Sequence, residues 1–290
     1  MQARERWLGL ALGGGGSKGS AHIGVLQALE TLGVPIDAIA GTSIGGLVAA
    51  LYGVGYRPVE IEQWFLRARA RRIMERDPSG RGFLGMRRIA ALLHEALGAR
   101  TFADARLPLA MVAVDLRSAR EVVIREGLLV EAVLATIAVP GIFPPLLRGE
   151  QLLVDGGVLN NVPVDVVRGL GAERVIAVDL GAIAPWFELS RPRPGHGAWS
   201  PRHWLPRAPL AVAERSLAIM MARMSELRLA QTAPDVVLRP AVTTLLPYDF
   251  TRTIEGRMLG ERAVFEQRAA IEALKAWRVG DERCADTQSG

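Results

Sequence analysis

Ser43 lies in the sequence GTSIG, which has the G-x-S-x-G spacing of a nucleophile elbow. In such an elbow a strained turn between a strand and a helix exposes the serine hydroxyl, and the small residues Gly41 and Gly45 avoid clashes around it. The segment Asp37–Ala40 predicts the strand, and the segment Gly45–Val54, rich in Ala and Leu, predicts a buried helix. The sequence therefore places a candidate nucleophile at the kind of turn that this chemistry needs.

A run of four glycines precedes the elbow, between a predicted strand at Trp7–Leu12 and a predicted amphipathic helix at Ser20–Leu32. Loops that follow successive parallel strands leave the sheet at the same edge, so we expect this glycine loop to face Ser43. Backbone N–H groups at a helix N-terminus suit the oxyanion that forms when a serine attacks a carbonyl. The predicted oxyanion donors are Gly14, Gly15, Gly16, Ser17, Lys18 and Gly19.

Two nucleotide-binding interpretations of the glycine loop fit less well. A Walker A motif requires glycine before its lysine and a hydroxyl residue after it, whereas Lys18 follows Ser17 and precedes Gly19. The glycines do satisfy G-x-G-x-x-G, but the nearby acid, Asp37, begins the second predicted strand instead of ending it. The sequence thus argues against a nucleotide cofactor, and no nucleic acid partner is expected.

Asp155 is the candidate general base. It follows the apolar run Leu152–Val154 and precedes Gly156 and Gly157, so we expect it at the carboxyl end of a strand, on the same rim as Ser43. An Asp-Gly pair by itself indicates only a turn. After a nucleophile elbow and a glycine-rich loop, it indicates a carboxylate that accepts the serine proton.

A histidine base is the alternative, because a hydrolase triad places a histidine late in the chain. The candidates are His196 and His203, both in a segment with no predicted strand to position them. His22 falls on the first predicted helix and His94 in a distant helical pattern, where each is expected to be an ordinary packed or surface residue.

Around these motifs the chain alternates short apolar runs with amphipathic segments, which is typical of parallel β-α-β units. This pattern predicts a doubly wound sheet with helices on both faces, and it shows neither an internal repeat nor a domain boundary. We therefore expect one domain over residues 1–290. The further predicted strands are Leu109–Leu116, Val122–Arg125, Gln151–Val154, Arg174–Leu180 and Asp235–Leu238. The further predicted helices are Pro58–Arg69, Met86–Leu97, Leu128–Thr136, Pro163–Gly169, Leu210–Leu229 and Gly256–Trp277.

Two segments interrupt this alternation. Arg67–Arg88 holds eight arginines, and Ala184–Pro209 is rich in Pro, Trp and Arg without a helical period. Tryptophan and arginine are both favoured at lipid interfaces, so peripheral membrane contact through these segments is one hypothesis. A poorly ordered surface loop is the other. The tryptophans concerned are Trp186, Trp199 and Trp204.

Composition bounds the class of protein. Half of the 290 residues are hydrophobic, 22% are charged, and the net charge is +5. The first apolar run, Leu8–Leu12, is too short for an export signal, and Ala132–Leu147 is interrupted by prolines and too short to span a membrane. Cys284 is the single cysteine, so no intrachain disulfide forms. We expect a soluble protein, cytoplasmic or peripheral at the inner membrane face.

The three motifs together resemble those of the patatin-like phospholipases, especially bacterial members related to the neuropathy target esterase domain. The matching stretches are GGGSKG at 14–19, GTSIG at 41–45 and DGG at 155–157, and AVPGIFPP at 138–145 also looks like the family's segment before its aspartate. Lys18 stands where the family more often has arginine. The resemblance covers about residues 7–182, before C-terminal helices that reach about residue 278 and a polar tail at 279–290.

This resemblance implies a three-layer α/β/α sandwich with a mainly parallel central sheet. It also implies that Ser43 and Asp155 form a catalytic dyad without histidine, acting through an acyl-enzyme on phospholipid, lysophospholipid or another fatty-acyl ester, with no metal and no organic cofactor. Two other functions stay open: an α/β-hydrolase esterase with a Ser-His-Asp triad, and a regulatory protein with a residual hydrolase site. The oligomeric state is not predicted.

Overall fold

A computed structural model describes residues 6–70, 75–181, 207–245 and 250–279, which form a twisted sheet covered by helices on both faces. The strands are β1 (Leu8–Leu12), β2 (Ala38–Thr42), β3 (Glu75–Arg76), β4 (Leu84–Gly85), β5 (Leu109–Asp115), β6 (Arg120–Ile124), β7 (Leu146–Arg148), β8 (Gln151–Asp155), β9 (Arg174–Val178) and β10 (Val236–Leu238). The helices are α1 (Ser20–Thr31), α2 (Ile44–Gly53), α3 (Pro58–Ala70), α4 (Arg87–Leu97), α5 (Leu129–Thr136), α6 (Val164–Gly169), α7 (Arg207–Thr232), α8 (Thr253–Glu266) and α9 (Arg268–Val279).

The strand order in the main sheet is β10-β9-β1-β2-β5-β8-β7, with β6 also paired to β5. The strands from β10 to β5 are parallel to one another. Strands β6 and β8 run antiparallel to β5, and β7 runs antiparallel to β8. The sheet is therefore mixed with a parallel centre, and the predicted three-layer α/β/α architecture is confirmed.

Side-chain alternation along β1 assigns its residues to two cores. Leu8, Leu10 and Leu12 pack into the larger core beneath α1, α2 and α5, whereas Ala11 packs into the smaller core beneath α6. Gly9 shares the face of Ala11, and a Cβ atom added there would lie only 2.1 Å from Val167 Cγ1. Small residues on this face of the strand therefore let α6 approach the sheet closely.

Helix α8 packs directly on α1, the helix that follows the glycine loop. A Cβ atom at Gly24 would lie 1.8 Å from the carbonyl oxygen of Arg257, and one at Gly260 would lie 1.8 Å from the carbonyl oxygen of Ala21. Both glycines are thus required by backbones that nearly touch. The C-terminal third, where the sequence resemblance is weaker, forms part of the scaffold of the site.

The single helix predicted at Gly256–Trp277 is wrong, because the structure divides it into α8 and α9 at Gln267. The break redirects α9 so that Ile271 is buried against the core. It also brings the Arg278 guanidinium to Asp37, with hydrogen bonds of 2.7 and 2.9 Å to the two carboxylate oxygens. Asp37, excluded above as a ribose ligand, instead ties α9 to the start of β2.

Part of the arginine-rich segment folds as a small hairpin, formed by β3 and β4. The N–H groups of Phe83 and Leu84 donate to the carbonyl oxygens of Gly141 and Ile142, at 3.2 and 2.8 Å. The hairpin therefore contacts the 138–145 segment, which the sequence reasoning had not linked to it.

The predictions for the segment Ala184–Pro209 fall almost wholly outside the described residues. Trp186, Trp199, Trp204 and the histidines His196 and His203 lie in the range 182–206, and Cys284 lies in the range 280–290. Within the described ranges, no helix combines the length and apolarity needed to cross a membrane.

Candidate active site

Ser43 occupies a strained turn between β2 and α2. Its φ of 56° and ψ of −128° are unfavourable for a residue with a side chain. Close packing imposes this turn: a Cβ atom at Gly41 would lie 2.3 Å from the carbonyl of Gly45, and one at Gly45 would lie 2.2 Å from the carbonyl oxygen of Leu12. The predicted elbow, with its two flanking glycines, is confirmed as a structure.

A threonine that the sequence reasoning missed supports the elbow from α5. The Ser43 N–H group donates to the Thr136 hydroxyl at 2.8 Å, and that hydroxyl donates to the carbonyl oxygen of Val112 at 2.5 Å. Thr136 is completely buried, so these bonds are protected from water. They fix the backbone of Ser43 relative to β5.

The glycine loop lies beside the elbow, as predicted. A Cβ atom at Gly14 would lie 3.0 Å from Ser43 Cβ, and one at Gly19 would lie 2.3 Å from Ile44 Cγ1. Residues 16–19 form a short 3-10 helix that leads into α1, with Gly16 at a φ of 62°. The lack of side chains in the loop therefore permits close contact with both Ser43 and its neighbour.

The structure corrects the predicted donor set at one position. The N–H group of Gly14 donates to the carbonyl oxygen of Asn161 at 3.1 Å, so it is committed to holding the loop. By contrast, the N–H groups of Gly15 and Gly16 have no acceptor among the described residues. These two amides remain as candidate donors to an oxyanion.

The other polar loop residues are partly or fully enclosed. Ser17 is buried, and its carbonyl oxygen accepts a hydrogen bond of 3.1 Å from the Ser20 hydroxyl. Burial lowers the pKa of Lys18, the nearby Arg215 lowers it further, and Asp179 acts in the opposite direction. The Lys18 ammonium thus lies within electrostatic range of Arg215 in α7 and of Asp179, the residue after β9.

Asp155 ends β8 in a buried position, with its backbone N–H group bonded to the carbonyl oxygen of Ala138 at 2.9 Å. Its Oδ1 atom accepts a 2.8 Å hydrogen bond from the N–H group of Gly157, while Oδ2 is buried with no partner among the described residues. Burial raises the pKa of Asp155 to about 6, although the Ser43 hydroxyl and the Gly157 amide oppose the rise.

Asp155 reaches the level of Ser43 by a route that the sequence reasoning did not predict. Strand β5 continues past its partner β2: Val112 is opposite Thr42, and Ala113 is opposite Asp155. Because β8 runs antiparallel to β5, its carboxyl end arrives from beyond the rim of the parallel strands. Asp155 thus lies near enough to Ser43 for the serine hydroxyl to act on its pKa, but the expectation that its strand shares the direction of the parallel strands is wrong.

The Ser43 hydroxyl lies near enough to the Asp155 carboxylate to lower its pKa, yet these two described side chains do not form a hydrogen bond of ordinary length and angle. Catalytic hydrogen bonds are often long or poorly aligned in the free enzyme and become well formed only in the reacting complex. The pair therefore has the placement, although not the closed geometry, of a nucleophile and its base.

Asn161 is a second residue that the sequence reasoning missed. Its side chain is buried, its Oδ1 atom has no partner among the described residues, and it lies 2.5 Å from the position of a Cβ atom at Gly14. The same atom lies 2.9 Å from the corresponding position at Gly157. Asn161 thus contacts both the glycine loop and the turn after Asp155.

The described histidines do not act as a base in this geometry. His22 is buried on α1, its Nε2 atom is 2.7 Å from the carbonyl oxygen of Gly13, and burial lowers its pKa to about 4. The neutral ring therefore donates to Gly13 and braces the glycine loop from behind. His94 is exposed on α4. His22 is thus a packed histidine and His94 a surface histidine, as expected.

A metal site is not formed by the side chains that the structure describes, since they contain no group of three or more His, Cys, Asp or Glu residues placed to hold an ion. The expectation that the protein needs no metal or organic cofactor stays a prediction.

The chain places a serine at a strand-to-helix elbow, beside a glycine loop and a buried carboxylate, on a three-layer α/β/α sheet. This combination is typical of serine hydrolases. A family model described as patatin-like phospholipase matches residues 10–168, more than half of the chain. The chain therefore belongs to the patatin-like phospholipase family, and the resemblance drawn from its motifs is confirmed.

Three relatives illustrate this membership. The chain is 36% identical over 187 residues to patatin-like phospholipase domain-containing protein 6 of Mus musculus, over 60% of this chain and 14% of that protein. It is 36% identical over 174 residues to an uncharacterised NTE family protein of Mycobacterium bovis, over 59% of this chain and 48% of that protein. Lysophospholipase NTE1 of Debaryomyces hansenii is 28% identical over 270 residues, over 84% of this chain and 17% of that protein. The alignments span less than half of each relative.

Among solved structures, VipD from Legionella pneumophila matches with a TM-score of 0.51 and 13% identity, over 93% of this chain and 67% of that chain. At this identity the likeness concerns the fold alone. Because the match covers 93% of this chain, the likeness in fold extends well beyond residues 10–168.

Proposed function

We propose that this protein is a serine acyl hydrolase of lipid esters that uses Ser43 as its nucleophile and Asp155 as its general base. The observation that carries the proposal is the placement of a buried carboxylate with a pKa of about 6 beside the elbow serine. A carboxylate with this pKa is ionised at neutral pH, and it is more basic than an exposed aspartate.

In the first half of the proposed reaction, the Ser43 oxygen attacks the ester carbonyl carbon while Asp155 accepts the hydroxyl proton. The resulting tetrahedral oxyanion receives hydrogen bonds from the N–H groups of Gly15 and Gly16, the loop amides that have no other described acceptor. The ester C–O bond then breaks, and the proton on Asp155 passes to the departing alcohol. Ser43 is left carrying the acyl group.

In the second half, Asp155 removes a proton from a water molecule that attacks the acyl-enzyme carbonyl. The second oxyanion collapses, the fatty acid departs, and Ser43 regains its proton from Asp155. The same carboxylate therefore serves both steps, and the chemistry balances without a histidine, a metal or an organic cofactor.

Asn161 and Thr136 are positioning residues in this proposal, because each acts through another group. The Asn161 backbone holds the loop through Gly14, and its side chain separates the loop from the turn after Asp155. Thr136 fixes the backbone of Ser43. Together they keep the nucleophile, the base and the amide donors in register.

The substrate class follows from the family rather than from the geometry. The relatives are named as a phospholipase domain protein and a lysophospholipase, which supports phospholipid, lysophospholipid or a related fatty-acyl ester as the substrate here. Lipidomic profiling of products, with the wild type compared to Ser43→Ala, tests this assignment.

Labelling by a serine-directed fluorophosphonate tests the nucleophile. The wild type and the control Ser118→Ala, altered in the β5–β6 turn, should label, whereas Ser43→Ala should not. Asp155→Asn should lower the hydrolysis of a short-chain p-nitrophenyl ester by about 10³- to 10⁴-fold, as loss of a catalytic base does elsewhere. Absence of labelling in the wild type would instead support a regulatory protein with a residual site.

The triad alternative has a separate test, because His196 and His203 lie outside the described residues. Under the dyad proposal, His196→Ala and His203→Ala retain ester hydrolysis. A loss near 10⁴-fold from either substitution would show a histidine base and overturn the role proposed for Asp155.

A further inference from the structure

His22 lies in the first turn of α1, fully buried, with its side chain directed back to the glycine loop. Its Nε2 atom is 2.7 Å from the carbonyl oxygen of Gly13. Because a carbonyl oxygen only accepts hydrogen bonds, Nε2 must carry the proton and donate it to this bond. The other ring nitrogen, Nδ1, is buried with no partner among the described residues. Within that part of the chain, the polar role of the ring is therefore to hold Gly13.

The peptide group that joins Gly13 to Gly14 is held at both of its polar ends. Its C=O group accepts the hydrogen bond from His22, and its N–H group donates to the carbonyl oxygen of Asn161 at 3.1 Å. A peptide group is planar, so two hydrogen bonds at its opposite ends fix its rotation. A flip of this peptide would break both bonds.

The next two peptide groups carry the candidate oxyanion donors. The N–H groups of Gly15 and Gly16 follow directly on the fixed peptide, and they have no acceptor among the described residues. Glycine has no side chain to restrict its dihedral angles, so a run of glycines does not set the direction of its own amides. Contacts from outside the loop must therefore set that direction.

The backbone that holds the loop also holds the nucleophile. Asn160 and Asn161 present consecutive carbonyl oxygens, of which the first accepts a 2.8 Å hydrogen bond from the Thr42 hydroxyl and the second accepts the loop N–H group. Thr42 directly precedes Ser43. The loop and the elbow thus share one short piece of backbone. His22 secures the end of the loop peptide that this backbone does not hold.

We propose that His22 is a positioning residue for the oxyanion, acting through the Gly13 carbonyl to aim the two candidate donor amides at the transition state. This inference rests on the proposed function, because the amides matter only if Ser43 attacks an ester carbonyl. Donors that are already aimed lower the barrier, since they need not reorganise as negative charge develops. Burial lowers the pKa of His22 to about 4, so the ring is neutral between about pH 6 and 8 and exchanges no proton in the reaction.

Two amide variants of the full chain test the proposal by their reach. In His22→Gln the side-chain NH₂ group lies about where Nε2 lies and can still donate to Gly13. In His22→Asn the side chain is one methylene shorter, and its NH₂ group falls near the position of Nδ1. For a soluble short-chain ester, His22→Asn should lower kcat by about 10- to 100-fold, less than the roughly 10²- to 10³-fold loss of an oxyanion donor itself, and change KM by less than about twofold. His22→Gln should stay within about threefold of the wild type.

An alkyl trifluoromethyl ketone gives a measurement that a merely structural role would not change. Such a ketone forms a tetrahedral adduct with a serine and places an oxyanion before the same amides. Its inhibition constant should rise in His22→Asn by about the factor by which kcat falls. The pH dependence of kcat/KM should keep its midpoint, because the base Asp155 is unchanged.

Leu29→Ala is the matched control for lost stability. Leu29 is buried on the same helix, about two turns beyond His22, and its truncation destabilises the core without touching the loop. This variant should unfold at a lower temperature while its kcat and its inhibition constant stay within about twofold of the wild type.

Three results would overturn the role of His22 while the wild type still hydrolyses the ester: an unchanged kcat in His22→Asn, an equal loss in His22→Gln, or an equal loss in Leu29→Ala. If His22→Asn does not fold, His22→Leu, which fills the site without a donor, takes its place with the same expectation. Failure of both to fold would assign the contact to folding instead and overturn the proposal. A wild type that neither hydrolyses the ester nor labels at Ser43 would overturn the proposed function, and this inference with it.

Discussion

The N–H group of Ser43 and the hydroxyl of Thr136 are joined by a buried hydrogen bond of 2.8 Å, although the residues lie 93 positions apart in the chain. The Thr136 hydroxyl in turn donates a hydrogen bond to the carbonyl oxygen of Val112. The strained backbone of the nucleophile is thus held by a side chain of α5 that bridges it to β5.

Thr136→Val removes the bridging hydroxyl while retaining the shape of the side chain. The buried N–H group of Ser43 and the carbonyl oxygen of Val112 then lack partners, so the free energy of unfolding should fall by about 1–3 kcal/mol. Ester hydrolysis should also fall, mainly in kcat, because Ser43 is displaced. Denaturant unfolding and steady-state kinetics check this. Thr136→Ser restores the hydroxyl and should recover most of both losses; equal effects of Val and Ser would show that only side-chain packing matters.

The pKa of Asp155 sets the expected pH dependence of activity. Burial raises this pKa to about 6, and the carboxylate must be ionised to accept the proton of Ser43. The ratio kcat/KM for a soluble ester should therefore rise through about pH 6 and level off above pH 7. Measurements between pH 5 and 8 check this expectation. A profile that is already flat at pH 5 would contradict it, since it would place the base at an ordinary carboxyl pKa.

The same burial makes Asp155 costly for stability at neutral pH. Well below pH 3.8 the carboxyl is protonated in both the folded and unfolded states, and the penalty develops as pH rises from the unfolded pKa of 3.8 through about 6. Asp155→Asn should therefore raise the free energy of unfolding at pH 7.5, by at most about 3 kcal/mol. Thermal unfolding should show a smaller gain at pH 4.5. A destabilised Asp155→Asn protein at pH 7.5 would contradict this account of the buried charge.

Asn161 offers a way to move the pKa of the base without altering it. The Oδ1 atoms of Asn161 and Asp155 lie 2.9 and 3.1 Å from the same point, the Cβ position of Gly157, so they are at most about 6 Å apart. Asn161→Asp places a second carboxyl at that distance, and like charges raise the apparent pKa of such a pair. The rise in kcat/KM should shift to higher pH. Asn161→Ala, which adds no charge, should lower the rate without that shift. An unchanged pH profile in Asn161→Asp would show that the side chain at position 161 has no electrostatic effect on the pKa of Asp155.

The elbow and the glycine loop could be predicted because their signals are local. A serine between glycines, after a strand and before a helix, specifies its own turn, and adjacent parallel strands bring the loop to it. The sequence predicts that Asp155 ends a strand near Ser43, but it does not predict the direction of that strand. No local pattern shows that β8 runs antiparallel to β5. Strand direction here depends on pairing between residues about 40 positions apart.

Thr136 and Asn161 were missed because neither lies in a recognisable motif of chemistry. Their roles depend on contacts with Ser43 and Gly14, which are distant in sequence, and a buried threonine on an apolar helix is usually read as packing. The hydrogen bond from the Gly14 N–H group to Asn161 could not be predicted for the same reason. A motif indicates which amides are near the site, whereas only tertiary structure shows which of them are already bonded.

The packing of Gly45 against the backbone of β1 gives a test of the elbow with a clean internal control. A Cβ atom at Gly45 would lie 2.2 Å from the carbonyl oxygen of Leu12, which cannot move without displacing the central strand. Gly45→Ala should therefore lower the free energy of unfolding by several kcal/mol, on the order of 3, and abolish labelling of Ser43 by the fluorophosphonate. In α6, a Cβ atom at Gly169 meets nothing within 4 Å, and its φ is not positive. Gly169→Ala should thus stabilise the protein slightly, by about 0.5–1 kcal/mol, and leave labelling unchanged. Comparable stability of the two variants would mean that α2 can move away from β1, and that the strained turn at Ser43 is not imposed by this contact.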